Sequence, residues 1–384
     1  MSKITGLKNS LLDRKRIKGL FINLGLTLVS LLIFMALFEV FLRVTDVTIG
    51  TVPRCEYTSA ELVPYKNAPD INEIYAIPEY EVRYVTNSLG FRDSELADNP
   101  NYRIVGVGDS MTFGSGVGND ETYLNVAESE IGNGIEIINA GVGGFNSKDC
   151  LNILKEIEGD FDYDMIIFAL FLDNDIIQNL TDNDRIVDES TKCLYPPKKK
   201  QYTFREFLYQ NFYVVRFFSK ARQIPAINQL VIDIGLGSKG ENNPRFNLLR
   251  KEKDAASLDA IEKTEAVLRD VKEYALVNEK DLIVILIPSK YQIHDELFLE
   301  EVEKYLANPD EVNNLEMNEV LTAFLESNDI DYFDPTSTLR EYAANNDSIM
   351  LYYEKDSHWT PLGQEIAGKA LAQKLVQSQY LPFD

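Results

Sequence analysis

The stretch "RIVGVGDSMTFG", residues 103–114, passes from an apolar run into a polar turn in which two glycines flank a serine. Its apolar residues are continuous rather than alternating, which is typical of a strand buried on both faces of a parallel sheet. Ser110 follows that strand within two residues of its end. Either Ser110 is a nucleophile at the edge of a sheet, or Asp109 and Ser110 only cap the next helix.

Similar apolar runs recur along the chain, and segments with helical periodicity separate them. The strong runs are "IEIINAG" (135–141), "DMIIFALFL" (164–172) and "DLIVILIP" (281–288), and a weaker fifth run is "IDYFDP" (330–335). Helices are predicted over 120–131, 147–158, 256–278 and 312–326. This alternation predicts an α/β fold, a three-layer α/β/α sandwich around a parallel sheet, with ligands bound beyond the carboxyl ends of the strands.

Residues 176–255 interrupt that alternation, because no buried strand is predicted there. We interpret them as a helical insertion over the sheet edge, with one aromatic-rich helix, "YTFREFLYQNFYVVRFFSKAR", at 202–222. Three roles are open for that helix: a substrate lid, a segment that lies on a membrane, or a helix whose aromatic residues pack on the core. We favour packing on the core, since burial is the usual fate of aromatic residues.

The N-terminal region has the composition of a membrane anchor. Residues 19–42 are mainly apolar, with Glu39 as their only ionisable residue, and their length is enough to span a bilayer. Because no small-residue cleavage site follows, we favour a retained anchor over a removed signal peptide. Six basic residues precede the span and only Arg43 follows it closely, which predicts a cytoplasmic N-terminus and an extracytoplasmic domain, periplasmic or at the cell surface.

These features divide the chain into four predicted parts. They are a cytoplasmic basic tail (1–18), a transmembrane helix (19–42), a stalk with a short β hairpin at 80–93 before an Asn-Ser-Leu-Gly turn (43–100), and the α/β domain with its insertion (101–384).

Charge and cysteine content exclude several classes of function. The first 43 residues hold 7 of the 38 basic and 2 of the 61 acidic residues, which leaves 31 against 59 and a net charge of −28 in the rest. Such a surface repels phosphate backbones, so nucleic acid is not the expected partner. Cys55, Cys150 and Cys193 lack metal-binding spacing, so no metal is expected, and one disulfide is possible.

His358 is the candidate general base for Ser110, because the chain has only two histidines. Asp356 stands two residues before His358, and in extended chain both side chains project to the same side, where the carboxylate can orient the imidazole. Thr360 and Pro361 then read as the start of a helix. His294 has no carboxylate before it and is interpreted as non-catalytic.

Two loops at other strand ends offer donors for a developing oxyanion. The loop "NAGVGGFNSKD" (139–149) places glycines where backbone N–H groups can approach a ligand, although a tight turn into a helix explains them equally. Asn174 follows the third buried strand and offers a neutral side-chain N–H. Asp173 and Asp175 beside it also permit a calcium loop, which is disfavoured because the EF-hand spacing and its central glycine are missing.

Taken together, "GDSMTFG", "NAGVGGF", "LDND" and "DSHW" resemble the four ordered blocks of the SGNH, or GDSL, hydrolase family. The resemblance covers about residues 85–375 and implies a flavodoxin-like, SGNH-type sheet. It implies Ser110 as the nucleophile, His358 as the base and Asp356 as its orienting carboxylate. The oxyanion donors would be the N–H groups of Ser110 and Gly144 and the side chain of Asn174.

Two blocks depart from the usual family pattern. Leu172 occupies the usual glycine place of the third block, and the last block is D-x-H followed by Trp, as in the alginate O-acetyltransferase-like branch. The direction of acyl transfer is therefore open. A P-loop and an ordinary α/β-hydrolase are disfavoured, since the Gly-Lys-Ser/Thr ending and the G-x-S-x-G elbow are both missing.

The resulting interpretation is a membrane-anchored, extracytoplasmic serine esterase or O-acyltransferase that needs no cofactor. Its expected substrate is an ester, O-acetyl by preference, of a cell-envelope glycan. Two alternatives stay open: a non-catalytic glycan-binding or polysaccharide-assembly component that keeps the fold, and a lipid esterase or thioesterase.

Overall fold

The computed structural model describes residues 2–44, 56–77, 79–190, 192–195, 208, 212–215, 217, 244–304, 308–346, 350–378 and 380–382, with backbone only for 2–18 and 20. The chain divides into two compact units. The first combines Met1–Val52 with Lys198–Lys239, and the second combines Pro53–Pro197 with Gly240–Asp384.

A five-stranded sheet lies at the centre of the second unit. Its strands are β5 (Tyr102–Val107), β6 (Ile135–Asn139), β7 (Met165–Phe171), β10 (Asp281–Ile287) and β11 (Tyr332–Phe333). All four pairings are parallel and the spatial order is β6-β5-β7-β10-β11. This is the flavodoxin-like order, in which the chain turns outward on both sides from the gap between β5 and β7. The predicted parallel sheet is confirmed.

Both faces of this sheet are buried, which explains the continuous apolar runs. Successive residues of β7 point to opposite faces, so Ile166 and Phe168 belong to one core while Met165 and Ile167 belong to the other. All four are fully buried. A two-sided core of this kind needs a helical layer on each face.

Helices supply those two layers. The first face is covered by Ser147–Glu156, Ala255–Val277 and Glu316–Ser327, and the second by Tyr123–Ile131, Lys290–Ile293, Thr336–Asn345 and Pro361–Gln377. The remaining helices of this unit are Ser110–Phe113, Asp175–Gln178, Pro244–Asn247 and Asp295–Lys304, with 3-10 turns at Asn119–Glu121 and Pro309–Glu311. The predicted three-layer α/β/α sandwich is therefore confirmed.

Within the described residues, three antiparallel strand pairs lie outside the central sheet. They are β1 (Tyr57–Thr58) with β2 (Lys66–Asn67), β3 (Asn72–Ile77) with β4 (Tyr80–Val85), and β8 (Ile186–Asp188) with β9 (Cys193–Tyr195). The hairpin predicted at 80–93 differs in its pairing: β4 pairs with the strand before it, and the Asn-Ser-Leu-Gly turn follows the hairpin. The alternation of apolar and polar residues predicted the strand β4 but not the strand with which it pairs.

In the first unit, one helix runs from Ser2 to Val44, and its part Phe21–Val44 is long and apolar enough to cross a membrane. The carboxylate of Glu39 accepts hydrogen bonds from the backbone N–H groups of Tyr213 (3.1 Å) and Val214 (2.9 Å). A carboxylate in an apolar helix thus has backbone partners. Most of the predicted aromatic helix at 202–222 lies outside the described residues.

The cysteines differ in their state. Cys193 is disulfide-bonded. Cys150 lies on the helix Ser147–Glu156 of the first helical layer; it is a free cysteine, and its side chain is fully buried in the core. Cys55 lies outside the described residues. The prediction that one disulfide is possible agrees with the bonded state of Cys193.

Candidate active site

Ser110 is positioned by a short strand-to-helix turn. It is the first residue of the helix Ser110–Phe113, and Asp109 caps that helix by accepting the N–H of Met111 at 2.8 Å. Gly114 ends the helix with φ +76°, a left-handed conformation that glycine adopts without steric cost. Because Asp109 caps the helix, Ser110 is not needed for capping. The hydroxyl of Ser110 lies at the carboxyl end of β5, beside the gap between β5 and β7.

His358 and Asp356 reach Ser110 from the far end of the chain. The Oγ of Ser110 lies 2.7 Å from Nε2 of His358, and Nδ1 of His358 is hydrogen-bonded to Oδ1 of Asp356. The backbone N–H of His358 donates to the same carboxylate at 3.0 Å. Burial alone would raise the pKa of Asp356, but hydrogen bonding and the charge of His358 lower it to about 2. Asp356 is therefore an anion held against the imidazole, and we call these residues the Ser110–His358–Asp356 array.

Two residues that the sequence did not single out support this array from the β3–β4 hairpin. Tyr80 donates its hydroxyl to Oδ2 of Asp356 at 3.2 Å. The carboxylate of Glu79 accepts the backbone N–H groups of Lys355 and Asp356, each at 2.9 Å. Both supports lie 276 or 277 residues away in sequence, so no local pattern signals them.

The side chain of Arg92 binds the carboxyl-terminal end of the helix Ser110–Phe113. Its fully buried guanidinium donates to the carbonyls of Phe113 and Gly114, both at 2.6 Å, and also to that of Val117. Its Cζ lies 4.3 Å from the ring centroid of Tyr84 and 4.6 Å from that of Phe113. The planar guanidinium thus binds carbonyl groups at and just beyond the end of the short helix.

Two buried carboxyl groups lie behind the serine. Burial raises the pKa of Asp109, while hydrogen bonding from Asn174 and Ser110 acts in the opposite direction. Asp175 accepts the N–H of Phe171 at 2.9 Å, but its Oδ1 has no partner in the described part of the chain. Burial, followed by the charge of Asp109, raises the pKa of Asp175 well above its usual range. Asn174 directly precedes the helix Asp175–Gln178 and follows β7, at the same end of the sheet as Ser110.

The loop after β6 contains the third predicted oxyanion donor. Gly144 has φ +84°, and its carbonyl accepts from Nη1 of Arg185 at 3.1 Å. Tyr65 donates to the neighbouring carbonyl of Gly143 at 3.1 Å, so hydrogen bonds hold the carbonyl groups of both glycines in place. Within the described residues, the N–H groups of Ser110 and Gly144 donate no hydrogen bond. Both N–H groups are therefore available to a ligand.

The two alternative sites of the sequence analysis have other partners. His294 is buried, with Nδ1 3.7 Å from Glu296, and it is not part of the array. Of the two acids that suggested calcium, Asp173 forms an ion pair with Arg245 at 2.8 Å and Asp175 accepts the N–H of Phe171.

A cavity of about 130 Å³ lies beside the loop that carries Asp356 and His358. Ser357, between Asp356 and His358 in the chain, lines it, as does Asp173, which precedes Asn174. Further lining residues come from the loop after β10, from the helices Pro244–Asn247 and Asp295–Lys304, and from Met317.

Comparison with known proteins agrees with this architecture. Residues 247–382 match the family described as "SGNH hydrolase-like domain, acetyltransferase AlgX", and the match includes Asp356, His358, β10 and β11. Residues 247–382 are thus similar to that domain, and they contain the last of the four sequence blocks. The predicted resemblance to the SGNH family, with its AlgX-like branch, is thereby confirmed. No curated protein sequence matches the chain.

Solved structures similar to the SGNH hydrolase-like domain include three bacterial proteins. A member of the lipolytic G-D-S-L family from Veillonella parvula is 13% identical, covers 72% of this chain and 100% of its own, and has a TM-score of 0.37. A catalytic mutant of an acetylxylan esterase from Geobacillus stearothermophilus has 10% identity, 75% and 100% coverage and a TM-score of 0.39. A lipase/acylhydrolase from Enterococcus faecalis has 13% identity, 71% and 95% coverage and a TM-score of 0.36.

Substituting Gly141 with alanine should displace the helix Ser110–Phe113. An added Cβ would overlap the backbone nitrogen of Phe113 and lie 2.7 Å from the carbonyl carbon of Thr112, and neither backbone atom can move freely. We expect kcat/KM for a small ester to fall roughly 10- to 100-fold, because misplacement by about 1 Å has costs of that order. In the control Gly118→Ala, the nearest atom is the flexible carboxylate of Glu121 at 3.2 Å. An equal loss in both variants would contradict this role of Gly141.

Asp175 should make stability depend on pH. Its pKa is raised on folding, so the folded state keeps a proton that the unfolded state releases above pH 3.8, and the free energy of unfolding falls as pH rises. Asp175→Asn removes that slope and can still accept the N–H of Phe171. We expect the melting temperature of the variant to exceed that of wild type by a margin that widens as pH rises above 3.8. The exposed Asp182→Asn should show no such gain, and an equal gain there would contradict the effect.

Proposed function

We propose that this protein is a membrane-anchored, extracytoplasmic serine esterase or O-acyltransferase that acts on the O-acetyl ester of a cell-envelope glycan. The observation that carries the proposal is the hydrogen-bonded sequence from Ser110 to His358 to Asp356 at the switch point of the sheet. An SGNH-type domain indicates hydrolase or acyltransferase chemistry on esters, and this array has the parts that such chemistry needs.

The reaction begins with proton transfer. Nε2 of His358 accepts the proton of Ser110 as Oγ attacks the ester carbonyl carbon, and Asp356 stabilises the imidazolium through the bond to Nδ1. The carbonyl oxygen becomes an oxyanion. The N–H groups of Ser110 and Gly144 and the side-chain amide of Asn174 are the donors we assign to it.

The tetrahedral intermediate then collapses to an acyl-enzyme. The alcohol leaves with the proton from His358, and the acyl group stays on Oγ of Ser110. His358 next removes a proton from the incoming nucleophile, which attacks the acyl carbon and releases Ser110. Water as nucleophile gives an esterase, and a glycan hydroxyl gives an O-acyltransferase.

The location rests on two features of the chain. The apolar segment Phe21–Val44 is long enough to anchor the protein after its basic N-terminal tail. The disulfide bond of Cys193 favours an oxidising compartment, which lies outside the cytoplasm. Both support a membrane protein whose α/β domain faces the cell envelope, and the envelope's acylated glycans supply the expected substrate class.

The decisive experiment is detection of the acyl-enzyme. The full chain in detergent is incubated briefly with p-nitrophenyl acetate, quenched in acid and digested, and the peptide containing Ser110 is examined by mass spectrometry. An acetyl group on Ser110 in wild type, and none in Ser110→Ala, is expected. Hydrolysis without any adduct on Ser110, or neither hydrolysis nor adduct, would contradict the proposal, and the second result favours a binding component that keeps the fold.

A partition assay distinguishes esterase activity from transferase activity. Acetate release to water is compared with acetyl transfer to added xylo-oligosaccharide, followed as acetylated product. A transferase should shift toward acetylated product as acceptor concentration rises, while an esterase should release the same acetate at every acceptor concentration.

A further inference from the structure

The cavity beside the loop that carries Asp356 and His358 combines polar and apolar walls. Its polar groups include the carboxylate of Asp173, whose side chain is only 12% exposed, and the hydroxyl of Tyr291, which donates to Glu301 at 3.2 Å. Phe246 and Met317 contribute buried apolar surface. An alkyl chain would leave the polar groups without new partners, whereas a ring with hydroxyl groups can use both kinds of wall.

The charged side chains that line this cavity are Arg245, Asp173 and Glu301, so acidic groups outnumber basic ones. Nη1 of Arg245 binds the carboxylate of Asp173 at 2.8 Å. Glu301 is the second anion. A carboxylate brought into the cavity would therefore meet two anions and find the nearest guanidinium already paired, which costs binding energy.

Size limits the ligand as well. A volume of about 130 Å³ is well below the roughly 300–1,000 Å³ of sites for drug-sized molecules, so the cavity holds a single ring rather than a long chain. Because Ser357 lines the cavity, a ring bound there would lie next to the loop that carries His358.

We propose that this cavity is a subsite for one neutral, hydroxylated sugar ring of the acylated glycan, and that it discriminates against uronate rings. The assignment rests on the proposed function, whose substrate it narrows. Asp173 and Glu301 accept hydrogen bonds from ring hydroxyls, Tyr291 offers a hydroxyl to the same ring, and Phe246 packs against its apolar face.

Binding is measured separately from catalysis. The full chain with Ser110→Ala, in detergent, is titrated calorimetrically with acetylated xylo-oligosaccharides, which are neutral, and with acetylated oligogalacturonates, which carry carboxylates. The neutral probe should bind at least about tenfold more tightly. Equal or tighter binding of the uronate probe, or no binding of either, would overturn the subsite.

A matched pair of tyrosine variants localises the effect. Tyr291→Phe in the same background should weaken binding of the neutral probe about five- to tenfold, since one hydrogen-bonding group is lost. Tyr332→Phe removes a comparable hydroxyl, which donates to Glu326 at 2.8 Å on β11, and should leave the affinity unchanged. Equal affinities in the two variants would place the sugar elsewhere.

The outcomes separate this subsite from the proposed function. Hydrolysis of p-nitrophenyl acetate by wild type, without binding of the neutral probe, would refute the subsite and retain the esterase. Binding that depends on Tyr291, without hydrolysis or an acyl adduct, would retain the subsite and refute the esterase.

Discussion

Replacing Ser110 with alanine is expected to lower kcat for p-nitrophenyl acetate hydrolysis at least about 1,000-fold, to the level that binding and oxyanion donors alone provide. The hydroxyl is the only nucleophile within 2.7 Å of Nε2 of His358 in the described residues. The loss should fall on kcat rather than on KM, because the removed interaction is a bond made during the reaction.

The control for that variant is Ser115→Ala in the same turn. Ser115 is fully buried, and its hydroxyl has no hydrogen-bond partner among the described residues, so its removal leaves no group unpaired. The control should keep full activity and a wild-type melting temperature. Comparable losses in the two variants would mean that turn geometry, and not the hydroxyl of Ser110, limits the rate.

Replacing Asp356 with asparagine should lower kcat about 1,000- to 10,000-fold, the range seen when the orienting carboxylate of a Ser-His-Asp triad becomes an amide. The asparagine nearly preserves the shape of the side chain but removes the negative charge beside Nδ1 of His358. The imidazolium formed during proton transfer then loses its counter-charge. Initial-rate kinetics of the full chain, with circular dichroism to verify folding, measure the effect.

Tyr80→Phe separates charge from orientation in the same cluster. It removes only the hydroxyl that donates to Oδ2 of Asp356, so the carboxylate and its bond to His358 remain. We expect a loss of roughly tenfold or less, in line with one hydrogen bond. If Asp356→Asn costs no more than Tyr80→Phe, the carboxylate is not required and the assigned role of Asp356 fails.

The central sheet could be predicted because the burial of each long strand is visible in that strand's own sequence. Each long strand is buried on both faces, so its sequence is a continuous apolar run, and the predicted edges of β5, β7 and β10 differ from the observed ones by one residue. The strand β11 covers only Tyr332–Phe333, shorter than its apolar run, because it lies at the sheet edge and pairs with β10 alone. The burial pattern therefore predicted the three layers, but it did not predict which strands pair outside the central sheet.

The candidate site was predictable only in part. Ser110, Asn174, Asp356 and His358 stand out because polar residues directly follow buried strands or precede a capped helix. Glu79, Tyr80 and Arg92 do not, since nothing in the sequence around them distinguishes a side chain that supports a loop from one that faces water. The roles of Glu79 and Tyr80 depend on contacts 276 residues away, which spacing does not encode. The carbonyl groups that Arg92 binds are backbone groups, which side-chain patterns do not mark.

The hairpin support of the array has a consequence for the order of folding. Contacts between residues 248 and 276 positions apart, such as Ser110 with His358 and Tyr80 with Asp356, carry a large loop-closure entropy and form only after the intervening sheet has assembled. The segment from Glu79 to Arg92 meets both the serine turn and the histidine loop. Recovery of esterase activity after dilution from denaturant should therefore lag behind recovery of helical signal, which makes the proposed activity a late marker of native structure.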